Sequence, residues 1–350
     1  MRGGQAVTIV DRQNNKYWDD EAVRVLASYG ISGATLSEVG DGLINLTVEV
    51  LEDTGNRFIL QKVSGIFKPS VNDKIAKVTA HLRENGVSCP KIITTRNHRN
   101  YLEQDGDVWR LYEYIPGCSK TVFTSPRDAY SAGKALAQFH EALKNFDVQL
   151  LANDRPHVHD LRLHLNGLEK TLSCSTSHSL YSQCFALSKR IKLLASRIPD
   201  FDPGPLIVAH GDPKASNILF SVESNSAVCF IDLDTVGLMP LTLELGDAMR
   251  SWCNPFPEDS SSSLFNLELY EAALDGYDLV GSRVGLDESI LPATLQIYVE
   301  LASRFLSDVI HESYFGWDDI NYESAALHNL ARARAQVLAA ESLAIHISEN

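Results

Sequence analysis

The chain has no long run of like charge. Its 31 lysines and arginines are outnumbered by 45 aspartates and glutamates, a formal net charge of −14 over 350 residues. Nucleic acids and anionic membranes are bound through clustered Lys and Arg, so this chain is expected to bind neither. It lacks any apolar stretch approaching a membrane span, and its start, MRGGQAVTIVDRQNNKYWDD, lacks the apolar centre of a signal peptide. The six cysteines (Cys89, Cys118, Cys174, Cys184, Cys229 and Cys253) are scattered, with no two at the spacing of a metal knuckle or a redox pair. Cys229 sits within Ala-Val-Cys-Phe-Ile, where a buried free thiol is the expected state, and a reducing, cytoplasmic compartment is expected with it. Internal repeats are missing as well. Apolar residues are plentiful, at 44% against 22% charged, which excludes disorder and predicts a substantial core. The length favours two domains over one. Against so acidic a background, a polyanionic ligand would need a local device such as a bound cation or backbone amides.

The first third reads as a small α+β unit. Asp19-Asp20 is placed to cap a helix running to about Tyr29, with Ala22, Val23 and Leu26 on one face. LSEVGDGLINLTVEVL and NRFILQKV are strand-like runs joined by the turn residues 52–56. Residues 73–84 have helical spacing through Ile75, Val78 and Leu82, and two further short strands flank Asp105-Gly106-Asp107. Pro116-Gly117 then breaks the pattern. Beyond it Ser125-Pro126-Arg127-Asp128 opens a helix with an N-cap, a proline at the first position and an acid three residues on. Helices are predicted over 160–173, 180–197, 240–252, 264–280, 290–312 and 326–348, with serine-rich loops at 173–179 and 259–263. One β interruption is expected in this half, the hairpin NILF to VCFID, which leaves Asp232 at a strand end.

The chemistry is carried by VAHGDPKASNILF (208–220) followed by FIDLD (230–234). Phosphoryl transfer needs an acceptor hydroxyl held in line and cations that neutralise the phosphate oxygens. Asp212 is placed to take the acceptor proton, and Lys214 to reach the transferring phosphate. Asn217, five residues on, and Asp232, arriving through the hairpin, supply the hard oxygen ligands that Mg2+ prefers. His210 is expected to brace the loop from behind. A lone His-Gly-Asp would say little; the fixed Asp-to-Asn spacing, the hairpin and the second aspartate together are specific.

These motifs resemble those of the aminoglycoside phosphotransferase and choline kinase-like superfamily. Within it the chain is most similar to N-acetylhexosamine 1-kinases, through GDGLIN at 40–45, FILQK at 58–62, ELGDAMR at 244–250, RFLSD at 304–308, Tyr314-Phe315 and HNLARARAQ at 328–336. The resemblance implies a two-lobed, protein-kinase-like α+β fold. A five-stranded nucleotide-binding N-lobe over 1–115 would be followed by a mainly helical C-lobe over 116–350 carrying the catalytic loop and the acceptor site. It implies ATP as co-substrate, Asp212 as the base, Asn217 and Asp232 as magnesium ligands, and Arg304 and Tyr314 in the sugar site, with His159 beside it. Gly40 and Gly42 would let backbone amides approach phosphates, Asn45 would cap that loop, and Glu113 through Ile115 would offer main-chain groups to adenine.

Other details stay open at this level. Alternation puts either Ile59 and Gln61 or Leu60 and Lys62 toward the phosphates; the resemblance favours Gln61 in the place usually held by lysine, with Ala76 where a glutamate would pair with it. Lys62 on a solvent face, His157, His159 and His164 in a solvated loop, an Arg304–Asp308 surface pair worth about 0.3–0.5 kcal/mol, and Asp247 as a helix cap are the structural alternatives. Asp234 is expected to face away from Asp232 in support. Two rival classes remain: an iron site built from His210, Asp212 and His328, and a kinase-like binding protein without catalysis. Leu43 stands where hexosamine kinases would carry a polar residue, so aminoglycosides, choline-like alcohols and other sugars stay open as the small hydroxylated acceptor. The chain is expected as a monomer or homodimer.

Overall fold

A computed structural model describes residues 8–9, 18–39, 45–151 and 159–349. They fall into two compact units, Met1–Pro116 and Gly117–Asn350.

The first unit is built on one sheet: β1 (Thr8–Ile9), then α1 (Trp18–Tyr29), β2 (Ala34–Glu38), β3 (Leu46–Glu52), β4 (Arg57–Val63), α2 (Val71–Glu84), β5 (Ile92–Ile93), β6 (Leu102–Gln104) and β7 (Asp107–Glu113). The order is β1-β2-β3-β4-β7-β5, with β6 added to β7. Alternation decides the faces. Leu36, Val48, Val50, Leu60, Trp109 and Leu111 point to one side and are closed over by Ala22, Val25 and Leu26 of α1, spaced to share one helical stripe. Asp105 and Gly106 both take positive φ, 53° and 93°, the type I′ geometry that joins β6 to β7 tightly. Seven strands form this sheet where five were expected; β1 and β5 are two-residue strands with no periodicity of their own. Asp19-Asp20 lies inside the described helix, Trp18–Tyr29, and so does not cap it.

The second unit contains β8 (Cys118–Ser119), α3 (Pro126–Leu143), α4 (Leu161–Ser173), α5 (Tyr181–Ala195), β9 (Leu206–Ala209), β10 (Ile218–Phe220), β11 (Ala227–Phe230), β12 (Gly237–Pro240), α6 (Leu241–Trp252), α7 (Leu267–Asp278), α8 (Asp287–His311) and α9 (Ala325–Glu349). Ser125 caps α3 by accepting from the Arg127 N–H at 3.3 Å. Asp128 does not close a capping box; its carboxylate is taken by Lys120 at 2.7 Å and Asn225 at 3.0 Å. α8 is the central post, burying Ile290, Leu295, Tyr298, Ala302, Phe305 and Val309 against α4, α6 and α9. α3 and α7 cross at glycines: a methyl at Gly133 would strike the Ala273 carbonyl, and one at Gly276 the Tyr130 carbonyl. The expected hairpin is β10–β11, and β8 adds to it as a third strand. It is not the sole β element: β9 pairs antiparallel with β12, Ala209 opposite Gly237. Among the described residues no helix is long and apolar enough to cross a membrane.

Candidate active site

β9 ends at Ala209 and the chain turns sharply through His210-Gly211-Asp212. Gly211 sits at φ +81°, where a side chain is strained, and an added Cβ would lie 2.5 Å from the Thr235 carbonyl oxygen. The turn is held from behind by Glu244 of α6, fully buried, whose two oxygens accept the N–H groups of His210 at 2.8 Å and Gly211 at 3.1 Å. Burial would push this carboxyl up; the hydrogen bond and charge of His140 and the His210 loop outweigh it and hold it down. The His210 ring, also fully buried, accepts from the Asp212 N–H at Nδ1 (3.3 Å) and donates from Nε2 to the Ile231 carbonyl (2.9 Å). That pattern fixes the neutral Nε2-protonated tautomer, and burial lowers its pKa accordingly. Two more anchors come from the end of α6: Ser251 accepts from the Ala215 N–H at 3.0 Å, and the Trp252 indole donates to the Pro213 carbonyl at 2.8 Å. For Gly211→Ala we expect about 1–2 kcal/mol of backbone strain on top of this collision. A clear fall in thermal midpoint, with activity lost in parallel, would be read by calorimetry and assay side by side.

Asp212 is half-buried, and two side chains converge on it. Lys214 Nζ lies 3.1 Å from Oδ2, and Asn217 Nδ2 donates to Oδ2 at 3.2 Å and to the Asp212 backbone carbonyl at 2.9 Å. Burial alone would raise the Asp212 carboxyl; the Lys214 and Arg250 charges overcome it and hold it below the usual carboxylate range. It is therefore ionised at neutral pH, able to accept a proton-bearing hydroxyl. Lys214 is pushed up first by Asp212 and further by Asp232, so one ammonium feels both carboxylates. The strand end reaches this point because the Ile231 N–H donates to the Asn217 carbonyl at 2.9 Å. Asp232 itself is left-handed, φ 63°, ψ 60°, a conformation that non-glycine residues adopt rarely and at a cost.

This donor set suits magnesium. With Nδ2 of Asn217 engaged by Asp212, its Oδ1 is the remaining ligand atom, and Asp232 adds an anionic oxygen. Among the described residues no group of three His, Cys, Asp or Glu side chains could hold a metal on its own. Magnesium, by contrast, is commonly held through one or two carboxylates plus substrate phosphates and water. The iron alternative fails: both nitrogens of His210 are committed within the loop, and His328 Nδ1 accepts from the Asp318 N–H at 3.0 Å.

Asp247 is no helix cap. It lies within α6, buried, with Oδ1 accepting from the Arg250 guanidinium at 3.0 and 3.2 Å. Burial pushes its carboxyl up. Asp234 is buried. The Arg304–Asp308 surface pair does not form either. Asp308 is buried, and its oxygens accept the N–H groups of Ser313, Tyr314 and Phe315 and the Asn329 amide, because that carboxylate ends the helix by gathering the following loop. Arg304 turns instead to Glu300 at 3.4 Å and to the Tyr314 hydroxyl at 3.3 Å. His159 is not solvated: its ring is buried and Nδ1 meets Glu300 at 3.1 Å. Arg304 and His159 thus meet at Glu300, a residue that sequence reasoning missed, and Tyr314 is reached through Arg304.

In the first unit, Gly40 and Gly42 lie outside the described residues. Asn45 accepts from the Ser64 N–H at 2.8 Å, so its side-chain oxygen serves the end of β4. Leu60 and Lys62 share the face toward α1, where Lys62 pairs with Asp107 and with Glu21 at 3.6 Å and lies over the Trp109 ring. It is neither free nor on a solvent face. Gln61 is on the opposite face, its amide donating to Thr47 at 3.0 Å and accepting from Arg110 at 2.9 Å. Arg110 is fully buried and also reaches Asn72 of α2 at 3.4 Å. The Glu113 side chain pairs with Arg83 at 3.1 Å, and the N–H groups of Glu113 and Tyr114 are spent on the carbonyls of Lys91 and Arg57. Ile115 follows, half-buried.

A sequence model described as the phosphotransferase enzyme family matches residues 35–280. An aminoglycoside phosphotransferase from Alicyclobacillus acidocaldarius superposes with TM-score 0.61 at 17% identity, covering 93% of this chain and 96% of that one. A spectinomycin phosphotransferase in complex with ADP and spectinomycin gives 0.60 at 15%, covering 95% and 98%. A choline/ethanolamine kinase family protein from Mesorhizobium loti gives 0.57 at 17%, covering 95% and 100%. At such identities these likenesses establish a protein-kinase-like α+β fold.

Proposed function

The chain belongs to the phosphotransferase enzyme family, and from that premise we propose that it transfers the γ-phosphate of ATP to a hydroxyl of a small molecule, most specifically the anomeric hydroxyl of an N-acetylhexosamine. One observation carries the reading: Asp212 is bonded to both Lys214 and Asn217, and the segment just beyond β11, tied to Asn217 through the Ile231 N–H, brings the Asp232 charge to bear on Lys214. Asp212 accepts the proton of the acceptor hydroxyl and orients it. Lys214 exchanges part of its pairing with Asp212 for the transferring phosphate. Asn217 Oδ1 and Asp232 would hold magnesium, whose positive charge neutralises the phosphate oxygens. Gly40, Gly42, Asn45, Gln61, Glu113 and Ile115 of the first unit are assigned to the nucleotide; Lys62, on the opposite face of β4 from Gln61 and paired with Glu21 and Asp107, is left out of that set. Arg304, Tyr314 and His159 of the second unit are assigned to the acceptor. A cytoplasmic monomer or homodimer belongs to the same proposal.

The test is a screen of magnesium-ATP against free sugars, N-acetylated and amino sugars, aminoglycosides and choline-like alcohols, with ADP release and phosphorylated product both measured. N-acetylhexosamines are expected to give the highest kcat/KM. A higher value for an aminoglycoside or an amino alcohol would move the acceptor to that class, and the absence of any phosphorylated product would favour a binding protein.

A further inference from the structure

Glu300 lies in the middle of α8 with 1% of its side chain exposed. A carboxylate so buried must be compensated. His159 Nδ1 approaches Oε2 at 3.1 Å, while His164 Nε2 at 3.8 Å and Arg304 at 3.4 Å approach Oε1. The arginine continues outward to Tyr314, which is half exposed, with its guanidinium 5.5 and 5.6 Å from the Tyr314 and Phe315 ring centres. The cluster therefore runs from a sealed carboxylate to an open aromatic rim. Its inner end holds an unexplained atom: the His159 ring is only 8% exposed, and its Nε2 is buried with no hydrogen-bond partner among the described residues. Burial by itself would lower the His159 pKa, but the Glu300 hydrogen bond and charge, helped by Asp247, raise it. Asp247 in turn feels the Asp212 charge, so the cluster and the base share one electrostatic neighbourhood.

Resting on the phosphotransfer reading above, we infer that Glu300 is the positioning residue of the acceptor site, aiming His159 and Arg304 so that both present N–H donors to an uncharged, oxygen-rich acceptor. The charge count gives the selectivity. Glu300 faces a permanent guanidinium and two imidazoles, and Asp247 beyond it is paired with Arg250, so neither carboxylate is left over to receive an ammonium group. A hydroxyl or amide carbonyl oxygen can satisfy His159 Nε2–H and Arg304; an amine brought to the same place meets like charge and loses hydration. Glu300 acts through these two side chains.

Glu300→Gln removes the charge and keeps the shape. With N-acetylglucosamine and glucosamine as probes, the wild-type chain is expected to prefer the acetylated sugar by at least about tenfold in kcat/KM. In Glu300→Gln that sugar's KM should rise by about 10- to 100-fold, with the KM for magnesium-ATP within about twofold, a split that a general loss of packing would not produce. Arg304→Gln, nearer the rim, should move the same parameter in the same direction if the first variant fails to fold. Equal use of both sugars by the wild type, or an unchanged acceptor KM in a folded variant of either kind, would overturn the role of Glu300 while leaving phosphotransfer standing. Failure of the wild type to phosphorylate any hydroxyl compound would remove the parent reading itself.

Discussion

Asp212→Asn is expected to lower kcat by about a thousandfold, within the 10²–10⁴ that a positioned proton acceptor contributes, while the KM for magnesium-ATP changes by no more than a few-fold. The substitution is nearly isosteric, so the turn held by Glu244 and His210 should persist and the thermal midpoint should stay close to that of the parent. What changes is local charge. The substituted amide can still accept one hydrogen bond from Lys214, but it cannot take a proton, and Lys214 is left facing Asp232 alone. Steady-state kinetics with the best acceptor from the screen would read the effect. Unaltered turnover would remove Asp212 as the base.

The second large effect is expected at Asp232. Asp232→Asn should raise the KM for magnesium-ATP by at least about tenfold and lower kcat by about a hundredfold, on the scale of losing a charge that stabilises the transferring phosphate. The magnesium titration of activity should shift to higher concentration. Asparagine is the right replacement because residue 232 is left-handed, at φ 63°, a region asparagine tolerates. Alanine would add backbone strain and mix two causes. An Asp232→Asn chain with an unchanged magnesium dependence would exclude residue 232 as a ligand.

The fold was readable to the extent that local pattern carried it. The spacing of Ile75, Val78 and Leu82 and the proline after Ser125 placed α2 and α3 because helix periodicity and capping act over a few residues. The strands β1, β5 and β8 escaped notice since two residues hold no period, and the β9–β12 ladder because its partners are joined only through the loop and hairpin between them. At the candidate site, the contact between Asp212 and Asn217 was legible from their spacing. Glu300 was not: its partner His159 is 141 residues away, and nothing local distinguishes a buried glutamate on a long helix from a solvated one. Glu244 was visible only as the first letter of a family-like string, though its two backbone bonds shape the turn. Asp247, Asp308 and His159 were misread alike. Asp247 reads as a helix cap and Asp308 and His159 as solvated, whereas packing buries all three, Asp247 against nearby Arg250 and the other two against the distant Asn329 and Glu300.

The turn that carries Asp212 is tied to α6 at both ends of that helix, through Glu244 near its start and Ser251 and Trp252 at its close. Residues on surface loops usually move on timescales of their own, opening at a small fraction of the global unfolding cost. Here opening the turn would strand a fully buried carboxylate and an indole, so the loop has no soft mode separate from the bundle. Asp212 thus keeps the rigidity of the interior while its carboxylate remains partly open to solvent.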